Sequence, residues 1–227
     1  ALFGSYTYSI TEDDWLWGDG LDPESQLSPF PDSLNGVDWA DGRSDFDVPH
    51  RASVGVELKV PGQFGPRIAA LYRYQSGYPF TPGFRDGVDI NGDGSGRNDP
   101  AFIDDGIAGT AELVSEWSCL RDGIDGFVER NACRGPDYQA LDARLSLEFV
   151  RTDRYTGQLV VDGLDLLASE IGVLDRAVYL VDPAVDLATA PAGRVVTVPL
   201  VANPNFGELL TRYAPQRQLR IGLRVSY

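Results

Sequence analysis

The stretch RQLRIGLRVSY, residues 217–227, alternates polar and apolar residues without a break. The apolar row consists of Leu219, Ile221, Leu223, Val225 and Tyr227. A side-chain period of two places the apolar row on one side of a β-strand and the polar row on the other. Because Tyr227 completes the apolar row, we expect this strand to be held in a sheet up to its last residue instead of fraying.

Five other segments show the same alternation, so the sequence predicts an all-β protein with an antiparallel meander of about six strands. We expect the six strands near residues 1–10, 50–60, 67–76, 139–150, 154–164 and 216–227. No run of about 18 apolar residues occurs, which excludes a transmembrane helix but not a membrane-spanning strand.

The connections between the predicted strands alternate between short and long. PGQFGP (residues 61–66) and RTDR (151–154) are short, whereas 11–49, 77–138 and 165–215 are long. Compact soluble domains rarely contain such long connections, but outer-membrane β-barrels combine short periplasmic turns with long extracellular loops. The alternative is a soluble secreted β-sandwich, a binding or adhesion module that calcium could stabilise.

The two architectures place the same residues in different surroundings. In a barrel, one continuous band faces lipid, and it includes Val54, Val56, Leu145, Leu147, Ile221 and Leu223. In a sandwich, those residues are buried against a second sheet. The barrel interpretation also predicts a lumen-facing set, which comprises Arg51, Glu57, Arg73, Asp142, Arg144, Glu148, Arg220 and Arg224.

The chain carries a formal net charge of -15 and contains a single lysine, Lys59. This charge argues against nucleic-acid binding, because phosphate recognition needs clustered Lys and Arg. Ten of the acidic residues lie between Thr11 and Phe46, where the only basic residue is Arg43. The run is typical of a solvated loop, and weak binding of divalent cations is the alternative.

Cys119 and Cys133 are the only cysteines. We predict a disulfide between them, which would add roughly 3 kcal/mol in the chain-entropy model and would require an oxidising compartment. Two free buried thiols are the alternative, whereas zinc would need more ligands than this pair offers.

The run DGVDINGDGSGRNDP (residues 86–100) resembles the first half of a calcium-binding EF-hand loop. Its candidate ligands are Asp89, Asn91, Asp93, Ser95 and Asp99. Pro100 occupies the position of the bidentate Glu, which excludes a complete EF-hand. A looser Ca²⁺ site and a metal-free Gly/Asp turn both remain open.

We find no catalytic constellation, and the sequence does not predict an enzyme. The single histidine, His50, lies beside Pro49 at the start of a predicted strand, without a positioned nucleophile. A structural role is the better interpretation for it.

Several stretches, taken in order, resemble the C-terminal barrel portion of TonB-dependent outer-membrane receptors, in the branch with a carboxypeptidase-regulatory-like N-terminal domain. They are DVPHR, YRYQSGYPFTP, DINGDGSGRNDP, RGPDYQALDARLSLEF, NPNFGE and PQRQLRIGLRVSY, and together they span nearly the whole chain. The final strand also resembles the signal that the barrel-assembly machinery recognises, which would include Leu223, Val225 and Tyr227.

The resemblance implies a part of a receptor that takes up a bulky nutrient across the outer membrane, with the C-terminus in the periplasm. No plug domain and no TonB-interacting segment is recognised, and known single-chain barrels have at least about eight strands. We therefore expect the plug and the remaining strands from the same polypeptide or from another chain. Implied partners are outer-membrane lipid, the TonB system through the plug, and the barrel-assembly machinery.

Overall fold

The structure is a computed structural model that describes residues 1–13, 42–62, 64–84, 100–182, 199–213 and 216–227. In chain order its strands are β1 Leu2–Tyr8, β2 Glu12–Asp13, β3 Gly42–Arg43, β4 His50–Lys59, β5 Arg67–Gln75, β6 Pro79–Phe80, β7 Phe102–Ile103, β8 Gly126–Phe127, β9 Cys133–Arg134, β10 Tyr138–Arg151, β11 Thr156–Leu164, β12 Ile171–Leu174, β13 Tyr179–Val181, β14 Leu200–Ala202, β15 Leu209–Tyr213 and β16 Gln218–Ser226. Helix α1 spans Thr110–Glu116, and a 3-10 helix spans Ser118–Gly123.

Six long strands form one antiparallel sheet in the order β1-β4-β5-β10-β11-β16. These strands lie at the six positions that the alternating patterns predicted, and the all-β antiparallel prediction is confirmed. The order has two ends, because β1 and β16 each have one neighbour among the described strands. The described sheet is therefore open, and it does not close into a barrel.

The register of the sheet keeps every apolar row opposite another apolar row. Val54 of β4 pairs with Tyr72 of β5, which in turn pairs with Leu141 of β10. On the same face, further along the sheet, Leu147 of β10 pairs with Leu159 of β11, which pairs with Leu223 of β16. Directly paired residues point to the same face, so the separate rows merge into one apolar face that crosses all six strands.

The three long connections all leave the same end of this sheet. They follow β1, β5 and β11, and their flanking residues are paired, as Tyr8 with His50 and Leu164 with Gln218. The short turns between β4 and β5 and between β10 and β11 lie at the opposite end, as does the end of β16, because Thr156 pairs with Ser226. We call the described parts of the three long connections (9–13, 42–49, 76–84, 100–137, 165–182, 199–213 and 216–217) the loop layer.

The hydrophobic core lies in the loop layer and not on the sheet. Within the six long strands, the only buried residues are Gly55, Ala140, Gly157 and Gly163. The core of the loop layer is built from large side chains that include Phe80, Ile103, Leu113, Leu120, Val128, Val178, Tyr179 and Phe206. Burial of apolar side chains therefore stabilises the connections far more than it stabilises either face of the sheet.

Backbone hydrogen bonds join the connections to one another. Val178 N–H donates to the Gly83 carbonyl at 3.1 Å, and Ala202 N–H donates to the Ala108 carbonyl at 2.9 Å. These bonds satisfy buried backbone groups that a long loop would otherwise leave without partners. The alternating pattern predicts loops here and does not reveal the short strands and helices within them, because two- to five-residue strands have too few residues to show a period.

Gly207 is required by the packing of this core. Its φ is +77°, and a Cβ at this position would lie 2.0 Å from Cζ2 of Trp117. The Trp117 ring packs edge-on against Phe206 at a centroid distance of 5.0 Å. Glycine is therefore needed here for two reasons: the backbone is left-handed, and the Trp117 ring leaves no room for a Cβ atom.

Because the core lies in the loop layer, Leu120→Ala should lower the free energy of unfolding by about 2–5 kcal/mol, as is typical of a cavity left in a packed core. Leu120 is fully buried, whereas Leu210 of β15 is 66% exposed. The matched control Leu210→Ala should change stability by at most about 0.5 kcal/mol. Urea unfolding followed by near-ultraviolet circular dichroism measures both, and equal losses would contradict this location of the core.

Candidate functional site

The apolar face of the sheet is uncovered within the described residues. Of the residues predicted to form a lipid-facing band, Val54, Ile221 and Leu223 are 48%, 69% and 73% exposed. The other three, on the central strands, are half-buried: Val56, Leu145 and Leu147. Contiguous exposed apolar surface of this kind marks an interaction surface in proteins generally.

The opposite face carries charges, and all eight residues of the predicted lumen-facing set lie on it. The register places Arg51 and Glu57 of β4, Arg73 of β5 and the remaining five members on the side opposite the apolar row. The remaining five are Asp142, Arg144, Glu148, Arg220 and Arg224. Whether this face lines a lumen stays a prediction.

Ion pairs cross the strands of this charged face. Arg73 of β5 donates to Asp142 of β10 at 2.7 Å, and Arg144 of β10 donates to Asp162 of β11 at 2.5 and 3.0 Å. The second pair is bidentate, which is the strongest geometry for arginine and carboxylate. Arg220 of β16 lies opposite Asp162 in the register, so positive and negative charges alternate across neighbouring strands.

A buried carboxylate ties the loop layer to the entrance of β4. The Asp47 side chain is fully buried and accepts hydrogen bonds from Thr11 N–H (2.9 Å), from Arg43 Nη1 (3.3 Å) and from Arg134 Nη2. Burial acts to raise the pKa of Asp47, but these donors outweigh burial and hold the pKa below its ordinary value. Asp47 therefore joins residues of the first and second long connections.

A second polar link lies beside the first. Arg130 is almost completely buried and donates to Asp13 at 2.7 Å, while Asn131 donates to the Arg43 carbonyl at 2.7 Å and to Asp45 at 2.5 Å. Two aspartates from the acidic stretch between Thr11 and Phe46, Asp13 and Asp45, are thus bonded within the loop layer. The prediction of a simply solvated loop does not hold for them.

The predicted disulfide between Cys119 and Cys133 is confirmed, with a Cα–Cα distance of 5.3 Å. It joins the 3-10 helix to β9, and Cys133 is fully buried in the core of the loop layer. The disulfide thereby connects two segments of the second long connection. One segment follows α1, and the other precedes β10.

The single histidine, His50, lies at the loop end of the apolar face. Its Nδ1 lies 2.8 Å from the Tyr6 hydroxyl, and the Tyr8 ring lies 5.3 Å from the imidazole centroid. Tyr6, Tyr8 and His50 all belong to the apolar face by register. The Ser76 hydroxyl accepts a hydrogen bond from His50 N–H at 3.1 Å, so this serine contacts the backbone of the histidine and not its ring.

A surface cavity of about 500 Å³ opens beside this histidine. Its polar and aromatic walls are formed by Tyr8, His50, Arg43, Arg134, Glu116 and Trp117. In the same order, these residues belong to β1, β4, β3, β9, the last position of α1 and the residue that follows α1. Cavities of this size are in the range that holds small ligands, which is about 300–1,000 Å³.

No pattern in the sequence predicts this cavity, and of its lining residues only His50 was a candidate from the sequence. Arg43 and Arg134 are far apart in the sequence, and neither lies in a recognisable motif. Glu116 and Trp117 follow a helix of only seven residues that the alternation pattern did not reveal. Only the contacts between the first and second connections bring these side chains together.

The candidate calcium ligands Asp89, Asn91, Asp93, Ser95 and Asp99 lie outside the described residues. Within the described ranges, no group of three or more His, Cys, Asp and Glu residues is arranged to hold a metal ion. In the same parts of the chain, no helix is both long enough and apolar enough to cross a membrane.

The residues of the predicted assembly signal lie at the short-turn end of the sheet. Leu223 and Val225 are exposed on the apolar face of β16, and Tyr227 follows the strand. Tyr227 shares a small surface cavity with Tyr155 of the turn between β10 and β11. The terminal aromatic ring thus stands beside another tyrosine at this edge.

Acidic residues are concentrated outside the sheet. The six long strands and their two short turns contain nine basic and five acidic residues, whereas the rest of the chain contains ten basic and twenty-nine acidic residues. The described loop layer alone contains seven basic and seventeen acidic residues, so the end of the sheet with the long connections is strongly negative. Such a charge distribution steers cations toward this end and repels anions in bulk solution.

Comparison with known proteins returned no matching family model, no matching curated protein and no matching solved structure.

The pKa of Asp47 predicts an acid-sensitive loop layer. Because the folded pKa lies below the ordinary value of about 3.9, the carboxylate contributes stability above that pH and loses it as the pH falls further. Asp47→Asn should lower the free energy of unfolding by about 3 kcal/mol near neutral pH, since two arginines lose their shared partner. It should also flatten the loss of stability below about pH 4.

The matched control for Asp47 is Glu170→Gln, which removes an exposed carboxylate paired with Arg212 at 3.1 Å. We expect this variant to change stability by at most about 1 kcal/mol and to keep the acid-dependent loss of the wild type. Urea unfolding at a series of pH values measures both. An Asp47→Asn variant that is as stable as the control near neutral pH would show that the Asp47 contacts do not hold the loop layer.

Proposed function

We propose that this chain is a section of an outer-membrane β-barrel of the TonB-dependent receptor type, which takes up a bulky nutrient. In this proposal the six long strands form part of the barrel wall, and the loop layer stands on the extracellular side. The plug domain and the remaining strands come from the same polypeptide or from another chain. The nutrient stays unspecified beyond its size.

The observation that carries this proposal is the uncovered apolar face. Six strands in register present Leu, Val, Ile and Tyr side chains on one side, and no large side chain of these strands is buried. A sheet in water would expose this surface at a cost of about 25 cal/mol for each Å² that stays hydrated. Lipid acyl chains remove that cost without a second protein layer.

The charged face supports the same proposal from the other side. A barrel interior is polar, and ion pairs such as Arg73–Asp142 and Arg144–Asp162 are compatible with water or with a polar plug surface. The same pairs would be costly under a dry protein layer, where desolvation opposes buried charges. The polar face therefore favours a hydrated space over a packed core.

The arrangement of connections is the third support. All long connections lie at one end and all short turns at the other, as in outer-membrane barrels with extracellular loops and periplasmic turns. By this polarity the C-terminus lies on the periplasmic side. The packed, disulfide-bonded loop layer would form the acidic extracellular entrance.

The alternative is a soluble secreted β-sandwich. It requires Val54, Ile221 and Leu223 to be buried under a second sheet, and these residues are exposed in the part of the chain that the structure describes. The described strands of the loop layer form five separate two-stranded sheets, and none of these strands is hydrogen-bonded into the six-stranded sheet. These observations favour the barrel wall over the sandwich.

A pair of neighbouring substitutions on β16 tests the orientation of the sheet. Ile221→Arg places a charge on the apolar face and should weaken folding into phospholipid vesicles by about 2–4 kcal/mol. Gly222→Arg places the same charge on the opposite face, where a Cβ meets no atom within 4 Å. We expect this control to cost at most about 1 kcal/mol. Denaturant titration of vesicle-bound protein measures both.

The solvent preference of the unmodified chain completes this test. A barrel-wall section should aggregate in plain buffer and gain β-structure in detergent or lipid. A chain that is monomeric, folded and stable in buffer, with equal effects of the two arginine substitutions, would overturn the proposal. Isolation from outer membranes followed by mass spectrometry should also recover a plug domain, on the same polypeptide or on an associated chain.

A further inference from the structure

We infer that the charged face of the six-stranded sheet docks a protein surface that is rich in Asp and Glu and wide enough to reach from β4 to β16. The inference deepens the proposed function and rests on it, because the domain that meets this face would then be the plug. It adds the charge of the partner surface and the residues that meet it.

The charged face is positive within an acidic chain. By register it carries eight basic residues and four acidic ones, a net charge of +4, whereas the whole chain has a formal net charge of -15. The basic residues are Arg51, Lys59, Arg67, Arg73, Arg144, Arg151, Arg220 and Arg224, and the acidic ones are Glu57, Asp142, Glu148 and Asp162. A partner of opposite charge is the one that complements this face.

Three of the four carboxylates are already engaged by arginines of the same face. The pairs are Arg73–Asp142, Arg144–Asp162 and Arg151–Glu148. The other basic residues of the face form no ion pair among the described residues, and they are Arg51, Lys59, Arg67, Arg220 and Arg224. Only the carboxylate of Glu57 remains to offset them, so most of their positive charge is not neutralised within the described sheet.

Two of these basic residues repel each other across neighbouring strands. Lys59 of β4 lies directly opposite Arg67 of β5, and both residues are exposed. The other neighbour of Arg67 across the sheet is Ser146, which brings no negative charge. Like charges in directly opposed positions destabilise a sheet, so this pair opposes folding of the sheet alone. A partner carboxylate that contacts both residues would replace the repulsion by two attractive contacts.

The positions of the unpaired basic residues indicate the width of the partner surface. Lys59 and Arg67 lie on β4 and β5, whereas Arg220 and Arg224 lie on β16 at one edge of the sheet. In the strand order, β4 and β16 are separated by four strand spacings, which is about 19 Å along the sheet. A small anion contacts one of these groups at a time, whereas a folded domain can contact both. The spacing therefore favours a protein partner over a small ligand.

The charge of the loop layer favours the same partner. Its described residues include seventeen acidic and seven basic ones. This end of the sheet therefore repels anions that approach through bulk solution. A free anionic nutrient would have to pass this negative end before it reached the charged face. A domain that is already seated on the face does not have to pass it.

The experiment is a fluorescence-anisotropy titration of the chain in detergent with two labelled peptides, one that alternates Glu and Gly and one that alternates Lys and Gly. Peptides of about ten residues span about 33 Å when extended, which is enough to reach across the face. The acidic peptide should bind more tightly than the basic one. An ionic strength of about 1 M should weaken this binding, because the screening length falls to about 3 Å.

Removal of single charges identifies the residues that meet the partner. Arg67→Gln and Arg224→Gln should each weaken binding of the acidic peptide by about two- to fivefold, as for an exposed ion pair, and the double variant by about tenfold. The matched control is Arg154→Gln in the short turn between β10 and β11, which should leave the affinity unchanged. Arg67→Gln should also leave the denaturant midpoint of the chain alone unchanged or raise it, because it removes the repulsion with Lys59.

Four results would overturn the inference. The first is equal affinity of the wild type for the two peptides, and the second is unaltered binding by both single variants. The third is an effect of only one of the two variants, which would indicate a small local site instead of a wide surface. The fourth is a lower denaturant midpoint for Arg67→Gln, which would show that this arginine holds the sheet itself.

The same titration separates this inference from the proposed function, because a chain in detergent binds peptides whether or not it enters a bilayer. Preferential binding of the acidic peptide by a chain that is monomeric and folded in plain buffer would sustain the docking face and overturn the barrel wall. Insertion into vesicles without a preference for the acidic peptide would sustain the wall and overturn the acidic partner.

Discussion

The register of the six-stranded sheet is the constraint on which the rest of the structure depends. A side-chain period of two means that a slip of one residue in any strand pair would move an entire row to the opposite face. Five strand pairs hold the apolar rows together, and this produces one face for an apolar medium and one for charges. That division decides which side chains can meet lipid and which can meet a hydrated lumen.

The sheet itself buries almost no large side chains, so its register needs support from elsewhere. The loop layer provides this support at one end, because its core, its disulfide and Asp47 fix the ends of β1, β4, β5 and β10 relative to one another. At the other end, two short turns connect the strands directly. Because the packed support lies in the loop layer, the fully buried carboxylate of Asp47 lies beside the sheet and not within it.

The sequence predicted the sheet well and the loop layer poorly, for one physical reason. Long alternating rows such as Leu219 to Tyr227 repeat their signal many times, so strand positions and face assignment could both be read directly. The cysteine pairing could also be predicted, since two cysteines in one connection allow a single intrachain bond. Short strands such as β6 and β9 repeat no pattern and form only because distant segments meet.

The same limit applies to the candidate sites. The charged face could be predicted residue by residue, because strand alternation alone decides which side chains share it. The cavity could not be predicted, because Arg43, Glu116 and Arg134 line it together only where the first and second long connections meet. Asp47 joins these two connections through its contacts with Arg43 and Arg134. Tertiary contact, and not a local motif, creates such a site, so no scan for short motifs would detect it.

At the boundary between the sheet and the loop layer, a surface suited to an apolar medium meets a surface suited to water. On the side of the sheet, the apolar face excludes charge, whereas the described loop layer contains seventeen acidic and seven basic residues. The arginines that line the cavity lie at this boundary and are held by a buried aspartate, so their positive charge is fixed in place beside an apolar surface. Asp47 offsets one of these two positive charges, and the surrounding acidic residues repel free anions in bulk solution. A local positive charge can therefore persist within a negative region, because the ion pairs act at hydrogen-bond distance whereas the field of the acidic residues acts through water and is screened by salt.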